Sequence, residues 1–261
     1  MRRQQFLLTV LAAAVFCGSP LATAQESVDV NLQQKTYRSE FLNRDRAYWL
    51  YLPKGHGDDP ARKWPVILFL HGNGERGDDV NLVLKHGPIK EVAAGRDLPF
   101  IIIAPQMPFL PEGTIPRPRN NRFPDSPERK SFVRVPTGEP NPWGPLGPPH
   151  GWHELEADLL LLVQRALDEN QGDPDRVYVT GLSYGGFGTW YMATHHSEVW
   201  AAAVPICGAG QNDEVHKIGT LPVWVFQGGR DPVVRPEWTL ATADALDAAG
   251  GNVRVTVHED C

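Results

Sequence analysis

Hydrophobic and polar positions change their period several times along the chain, and each change predicts a different element. Residues 36–41 and 46–52 alternate apolar with polar side chains and flank the turn-forming Asn43-Arg44-Asp45, which predicts an antiparallel hairpin. Residues 65–70 and 100–104 are almost continuously apolar and rich in β-branched residues. Runs of this kind are typical of strands that are buried on both faces of a parallel sheet.

After residue 150 the chain alternates between helical and strand-like patterns. Residues 155–167 carry apolar side chains at helical spacing, and Gly172-Asp173-Pro174 is expected to end that helix. The remaining predicted elements are strands at 176–180, 201–206, 221–227 and 252–257, and helices at 184–195 and 236–249. Strands and helices in alternation predict an α/β fold with a doubly wound, mostly parallel sheet.

The N-terminus has the three parts of a secretory signal peptide. Arg2 and Arg3 precede an apolar run at residues 6–16, and Ala22-Thr23-Ala24 forms a cleavage site of small residues. The apolar run is shorter than the roughly 20 residues that cross a bilayer. We therefore expect residues 1–24 to be removed, and residues 25–261 to form a single domain that is secreted or periplasmic.

The charge balance and the cysteines narrow the classes of partner. Without residues 1–24 the chain has 23 basic and 31 acidic residues, so neither nucleic acid nor an anionic membrane is an expected partner. Cys207 and Cys261 remain, and in an oxidising compartment they either pair or stay as one buried and one exposed thiol. The spacing of potential ligands indicates no metal site, and no cofactor is expected. These features do not predict an oligomeric state.

The segment Gly181-Leu182-Ser183-Tyr184-Gly185-Gly186 lies where a predicted strand meets a predicted helix. This is the context of a nucleophile elbow, in which a tight turn presents a serine and requires small flanking residues. The serine hydroxyl needs a base, an oriented acid and donors for the oxyanion. The N–H of Tyr184 is the first candidate donor. The alternative is a glycine-rich turn that happens to contain a serine.

The acid and the second oxyanion donor have candidates at other strand ends. Asp231 follows the strand at 221–227 and fits the chain order of Ser, then Asp, then His, although an aspartate that caps its turn is the alternative. The loop at 71–77 follows the strand at 65–70 and offers the N–H of Asn73. We expect His71 to pack under this loop. The charges of the loop either hold it by ion pairs or are solvated: Glu75, Arg76, Asp78 and Asp79.

The base of this set has one candidate near the end of the sequence. His258 is the one histidine of this sequence that follows Asp231, and it lies near the end of the last predicted strand. A catalytic histidine is expected in a loop beyond that strand, where its ring can reach both the serine and the acid.

Residues 105–149 interrupt the alternation of strands and helices with 13 prolines and almost no periodicity. Loops of this length in compact domains are usually functional or disordered. We interpret this insertion as a cover over the active site, with Trp143 and the nearby Trp152 as substrate-binding candidates. A mobile surface insertion is the alternative.

Several segments together resemble a known group of enzymes: 71–77, 104–106, 173–178, 181–186 and 229–234. They are similar to secreted α/β-hydrolase esterases of carbohydrate esterase family 1 and of the polyhydroxybutyrate-depolymerase-like group, with prolyl-oligopeptidase-like serine hydrolases as near neighbours. The resemblance implies the α/β-hydrolase fold and acyl transfer. Ser183 would attack an ester carbonyl, Asp231 would orient the base, and the N–H groups of Tyr184 and Asn73 would hold the oxyanion.

The resemblance also bears on the base and on the C-terminus. In such relatives the last strand runs into a Gly-His pair, and the pattern counted from Asp231 puts that histidine about two positions after Cys261. The resemblance therefore implies a sequence truncated at its C-terminus, before its base and its final helix. The alternative is that His258 has taken over the role.

The leading hypothesis is a secreted serine carboxylic-ester hydrolase that acts on a small-molecule or polysaccharide ester. Acetyl or feruloyl groups on plant polysaccharide are the candidate substrates. A prolyl-oligopeptidase-like peptidase is disfavoured, because no propeller domain precedes the catalytic one. A non-catalytic binding module built on a hydrolase scaffold is the third reading.

Overall fold

The computed structural model describes residues 31–109 and 151–261, which form one eight-stranded sheet with helices on both faces. The strands are β1 (Leu32–Ser39), β2 (Arg44–Tyr51), β3 (Trp64–Leu70), β4 (Ile101–Pro105), β5 (Gly172–Leu182), β6 (Ala202–Ile206), β7 (Val223–Gly228) and β8 (Val253–His258). The α-helices are α1 (Gly87–Ala93), α2 (Glu156–Glu169), α3 (Tyr184–His195) and α4 (Pro236–Ala248).

The strand order is β1-β2-β4-β3-β5-β6-β7-β8. The hairpin β1–β2 is antiparallel, β2 pairs antiparallel with β4, and every pair from β4 to β8 is parallel. The predicted mostly parallel sheet with an N-terminal antiparallel hairpin is therefore confirmed. Asn43 lies in the hairpin turn at φ 49°, a left-handed conformation that asparagine tolerates better than most residues.

The central strand β3 explains why its sequence is apolar at every position. Successive side chains of a strand point to opposite faces. Leu68 and Leu70 belong to the core beneath α2, α3 and α4, whereas Ile67 and Phe69 belong to a second core beneath α1. Both faces of β3 are thus covered, as the uninterrupted apolar run predicted.

The sequence did not predict the first helix. α1 has seven residues and follows a 3-10 helix at Val80–Lys85, so neither element is long enough to show a helical period. The other correction concerns Gly172, which was expected to end the preceding helix. That helix ends at Glu169, and Gly172 begins β5 by pairing with Trp64 across an irregularity in β3.

Several predictions fall outside the described residues. They concern the signal peptide at 1–24, Trp143 and all but the first residues of the insertion at 105–149. Within 31–109 and 151–261, no helix is both long and apolar enough to cross a membrane. Cys207 and Cys261 are free thiols in this structure, the first half-buried and the second exposed.

Candidate functional site

Ser183 lies in the turn between β5 and α3 and has φ 56° and ψ −114°. A residue other than glycine rarely adopts a positive φ, and doing so costs on the order of 1–3 kcal/mol. The turn is fixed from both sides. The Ser183 N–H donates to the carbonyl of Ile206 at 2.8 Å, and its own carbonyl accepts from the N–H of Phe187 at 3.1 Å.

Three glycines surround Ser183 because backbone atoms leave no room for a Cβ. A Cβ on Gly181 would overlap the carbonyl of Gly185, and one on Gly185 would overlap the Leu70 carbonyl at the end of β3. A Cβ on Gly186 would lie 2.5 Å from the carbonyl of Ile206. The requirement for small residues in this turn is confirmed.

The backbone of Ser183 leads to a prediction about stability. Ser183→Gly should raise the free energy of unfolding by about 1 kcal/mol, because glycine adopts φ 56° without a steric cost but loses more backbone entropy on folding. Urea denaturation of Ser183→Gly and Ser183→Ala gives the comparison, since alanine keeps the strained backbone. A glycine variant no more stable than the alanine variant would contradict the inferred strain.

The loop that follows β3 runs alongside the serine. It forms a short 3-10 helix, Asn73–Glu75, and a Cβ on the preceding Gly72 would lie 3.9 Å from the Cβ of Ser183. Tyr184 is the first residue of α3. Tyr184 therefore follows Ser183 directly, and Asn73 follows the glycine that approaches Ser183 from the loop. Their role as donors stays a prediction.

His71 supports this loop from below, as expected. Its ring is fully buried, Nδ1 donates to the carbonyl of Gly72 at 2.6 Å, and Nε2 accepts the N–H of Met107 at 2.9 Å. Burial lowers the pKa of His71 to about 4. The ring is therefore neutral at pH 7, and both of its nitrogens are occupied, so His71 is not available as a base.

Trp152 is buried and does not have the exposed position that the predicted contact with substrate requires. The indole is 1% exposed and meets the ring of His71 edge-on at a centroid distance of 4.8 Å. On α3, Gly188 gives the indole room, because a Cβ there would lie 2.6 Å from that of Trp152. Trp152 thus supports the loop through His71. Sequence reasoning did not distinguish an aromatic residue that lines a pocket from one beneath it.

Three charged residues of the loop hold it in place, one of them by an ion pair with arginine and the others by burial or a hydrogen bond. Glu75 is buried, with carboxylate oxygens 3.9 Å from Nδ1 of His71 and 3.5 Å from Nε2 of His86. Asp78 pairs with Arg46 of β2. Asp79 caps the next 3-10 helix by accepting the N–H of Asn81 at 3.1 Å.

Asp231 lies just after β7, where its carboxylate caps the turn. Oδ1 accepts the N–H groups of Val233 at 2.8 Å and of Val234 at 3.0 Å. The side chain also lies beside Cys207, whose pKa is raised to about 12, first by burial and further by the Asp231 charge. The capping role is therefore observed. A role as the catalytic acid is compatible with it and stays a prediction.

His258 is the last residue of β8, as the sequence indicated. Its ring stacks on Phe226 of β7 at a centroid distance of 6.3 Å, and among the described residues its buried Nε2 has no hydrogen-bond partner. His258 and Asp231 line a cavity of about 420 Å³ on the α1 face of the sheet, and Ser183 is not part of its lining. Asp231 and His258 thus share a cavity that Ser183 does not line.

Arg76 lies beside Tyr184, whereas the sequence left it either as a charge that holds the loop or as a solvated one. Its guanidinium donates to the carbonyl of Pro108 through Nε at 3.2 Å and Nη2 at 3.1 Å. The Cζ atom lies 5.2 Å from the ring centroid of Tyr184 and 5.3 Å from that of Phe109. The sequence offered no signal for this position, because Tyr184 and Phe109 meet it only in the folded chain.

Comparison with known proteins gives one family match and several relatives. Residues 154–224 match the model of the prolyl oligopeptidase family. A stretch of 36 residues is 58% identical to poly(3-hydroxyalkanoate) depolymerase C of Paucimonas lemoignei, covering 14% of this chain and 9% of the depolymerase.

Solved structures match over most of the described chain. A thermostable esterase is 30% identical with a TM-score of 0.63, and the match covers 90% of this chain and 56% of that one. A CE1 ferulic acid esterase from Anaeromyces mucronatus has a TM-score of 0.58 at 16% identity, over 94% of this chain and 89% of its own, which is a likeness of fold. The chain therefore spans only part of the depolymerase and of the thermostable esterase.

Proposed function

We propose that this chain, which has the α/β-hydrolase fold and resembles the serine hydrolases built on it, hydrolyses carboxylic esters through an acyl-enzyme. The fold follows from the mostly parallel eight-stranded sheet and from its likeness to the thermostable esterase. The observation that carries the proposed chemistry is Ser183. It has a strained positive φ at the start of a helix, between glycines that no larger residue can replace.

The proposed reaction has two steps. In the first, the Ser183 oxygen bonds to the ester carbonyl carbon, an imidazole takes the serine proton, and the alcohol leaves with that proton. In the second, the imidazole takes a proton from water as the water oxygen bonds to the acyl carbon. The bond to the Ser183 oxygen then breaks as that oxygen takes the proton and the acid leaves. The N–H groups of Asn73 and Tyr184 are proposed to stabilise the oxyanion of both tetrahedral intermediates, and Asp231 is proposed to orient the imidazole.

His258 is the candidate base that this sequence contains, but its position in β8 does not favour the role. The ring stacks on Phe226 and faces the cavity on the α1 face. The base and the nucleophile therefore need separate variants.

The test is the turnover of 4-nitrophenyl acetate by the wild-type chain and by Ser183→Ala. We expect Ser183→Ala to lose at least about 1,000-fold in kcat, since removal of a nucleophile leaves only binding and the oxyanion donors. Equal turnover by the two proteins, both with folded far-UV spectra, would mean that no base serves Ser183 in this chain. Failure of a fluorophosphonate to label Ser183 as well would overturn the proposal. His258→Gln reports on the base, with the exposed His216→Gln as its matched control.

The finer proposal concerns substrate and location. We propose acetyl or feruloyl esters of polysaccharide as substrates and a secreted or periplasmic protein, on the strength of the sequence motifs and the N-terminal pattern. The ferulic acid esterase has the same fold as this chain, and this likeness of fold is its only support for the proposed substrate class. Release of acid from acetylated xylan and from methyl ferulate separates the two acyl groups.

A serine peptidase is the second candidate, because residues 154–224 match the prolyl oligopeptidase family. Ester and amide substrates separate the two functions, since amides have the poorer leaving group and need protonation of the nitrogen. If the chain cleaves a peptidyl 4-nitroanilide with a kcat/KM comparable to that of the matching ester, the peptidase assignment replaces the esterase one.

A further inference from the structure

We propose that Arg76 is a specificity-determining residue that selects esters carrying a carboxylate group near the scissile bond. This inference rests on the proposed function, because it names the substrate class of the same site.

The guanidinium of Arg76 is held in one orientation. One edge, formed by Nε and Nη2, is committed to the carbonyl of Pro108 at 3.2 Å and 3.1 Å. The rings of Tyr184 and Phe109 lie within cation–π distance of Cζ. A planar cation fixed in this way has lost most of its conformational freedom before a ligand arrives, so binding costs little further ordering.

The positive charge of Arg76 is not neutralised within the described part of the chain. Every hydrogen bond that it makes there goes to a neutral oxygen, and it forms no ion pair within residues 31–109 and 151–261. An opposing influence is the Glu154 carboxylate: burial raises the pKa of Tyr184, the Glu154 charge raises it further, and the Arg76 charge lowers it. The remaining nitrogen, Nη1, makes only a long contact of 3.4 Å to Oδ1 of Asn73. A charged donor with spare hydrogens is the group that binds a carboxylate best.

Arg76 is close to the proposed reaction centre. It contacts Asn73 and Tyr184, the two candidate oxyanion donors, and Tyr184 follows Ser183 directly. Phe109 is 65% exposed, so the aromatic side of this group is open to a ligand. An ester whose carbonyl reaches Ser183 would therefore place its neighbouring substituent beside the guanidinium.

The positive charge of Arg76 contrasts with the negative net charge of the chain. Without residues 1–24 the chain has 23 basic and 31 acidic residues, and the resulting net charge of −8 repels anionic substrates at long range. A fixed, unneutralised arginine at the site opposes that repulsion at short range. It discriminates between an anionic ester and its neutral counterpart, where an apolar pocket would favour the neutral one.

The first experiment measures binding without turnover. Titration of the wild-type chain with benzoate and with the neutral benzamide should give at least about 10-fold tighter binding of benzoate, the range expected for a charge-assisted hydrogen bond. Arg76→Gln should remove this preference and Arg76→Lys should keep part of it. The matched control is Arg254→Gln, which removes another stacked arginine, 4.3 Å from the ring of Trp224.

The second experiment measures kcat/KM for two pairs of esters. Mono-4-nitrophenyl succinate against 4-nitrophenyl butyrate places the carboxylate on the acyl side, and 3-acetoxybenzoate against phenyl acetate places it on the alcohol side. A preference for the anionic ester in either pair, lost in Arg76→Gln mainly through KM, identifies the side that Arg76 reads. Added salt should reduce the same preference in the wild-type chain.

Three results would overturn the proposal: equal binding of benzoate and benzamide by the wild-type chain, a benzoate preference that survives in a folded Arg76→Gln, or one lost equally in Arg254→Gln. The wild-type comparison and its salt dependence decide the matter even where a variant does not fold. If benzoate binding depends on Arg76 but neither turnover nor fluorophosphonate labelling depends on Ser183, the proposed ester hydrolysis is wrong and the proposed anion site is supported.

Discussion

Replacing Gly185 with alanine is expected to lower the free energy of unfolding by about 4 kcal/mol and to remove the proposed activity. The added Cβ would overlap the carbonyl of Leu70 and lie 2.8 Å from the carbonyl of His71. Both obstacles are backbone atoms at the end of β3, so no side-chain rotation makes room. Relief requires α3 to move away from β3, which separates Ser183 from the loop at 71–77.

Gly74→Ala is the matched control for that substitution. Gly74 lies in the same loop region, and a Cβ there would meet no atom within 4 Å. Urea denaturation followed by far-UV circular dichroism should place Gly74→Ala within about 0.5 kcal/mol of the wild-type chain. If Gly185→Ala were as stable as Gly74→Ala, the close approach of α3 to β3 would be wrong.

A fall in pH from about 7 to about 4 is expected to remove roughly 3 kcal/mol of stability through His71 alone. Burial lowers the pKa of His71 from the ordinary value of 6.5 to about 4 in the folded protein. As the pH falls, the His71 ring is therefore protonated near pH 6.5 in the unfolded chain but only near pH 4 in the folded chain. The stabilising effect is complete above pH 6.5 and is lost progressively between these two values.

The measurement is the free energy of unfolding in urea across that pH window for the wild-type chain and His71→Gln. The variant lacks the titrating ring, so its profile should be flatter, and the difference between the two profiles isolates His71 from the other titrating groups. The exposed His216→Gln should follow the wild-type slope. Parallel profiles for the wild-type chain and His71→Gln would contradict the assigned burial effect.

Sequence patterns predicted the strands well because burial on both faces leaves a strong signal. β3 and β4 are apolar throughout since their two faces meet different cores. α1 left no such signal, because seven residues give fewer than two turns. Gly172 was misread because the run Gly172-Asp173-Pro174 is typical of a turn, whereas here Gly172 starts a strand and pairs with Trp64.

The proposed site was predictable only where one segment determines the geometry. The elbow around Ser183 is a local turn, so its glycines were predictable from the sequence. The position of Trp152 beneath His71, and that of Arg76 between two aromatic rings, depend on segments far apart in the chain. A single sequence holds no record of such contacts.

The position of β3 in the sheet also has a consequence for how the chain acquires its structure during synthesis. On one side β3 pairs with β4, which is nearby in sequence, and on the other side it pairs with β5. The sequence separation of β3 and β5 is large: the guanidinium of Arg176 in β5 donates to the carbonyl of Lys63, just before β3, across 113 residues. One edge of the apolar strand β3 therefore stays unpaired during synthesis until β5 has been made. Contacts this distant slow folding and expose the nascent chain to aggregation. We therefore expect chaperones to bind the N-terminal half of the chain, because β3 is made long before its partner β5.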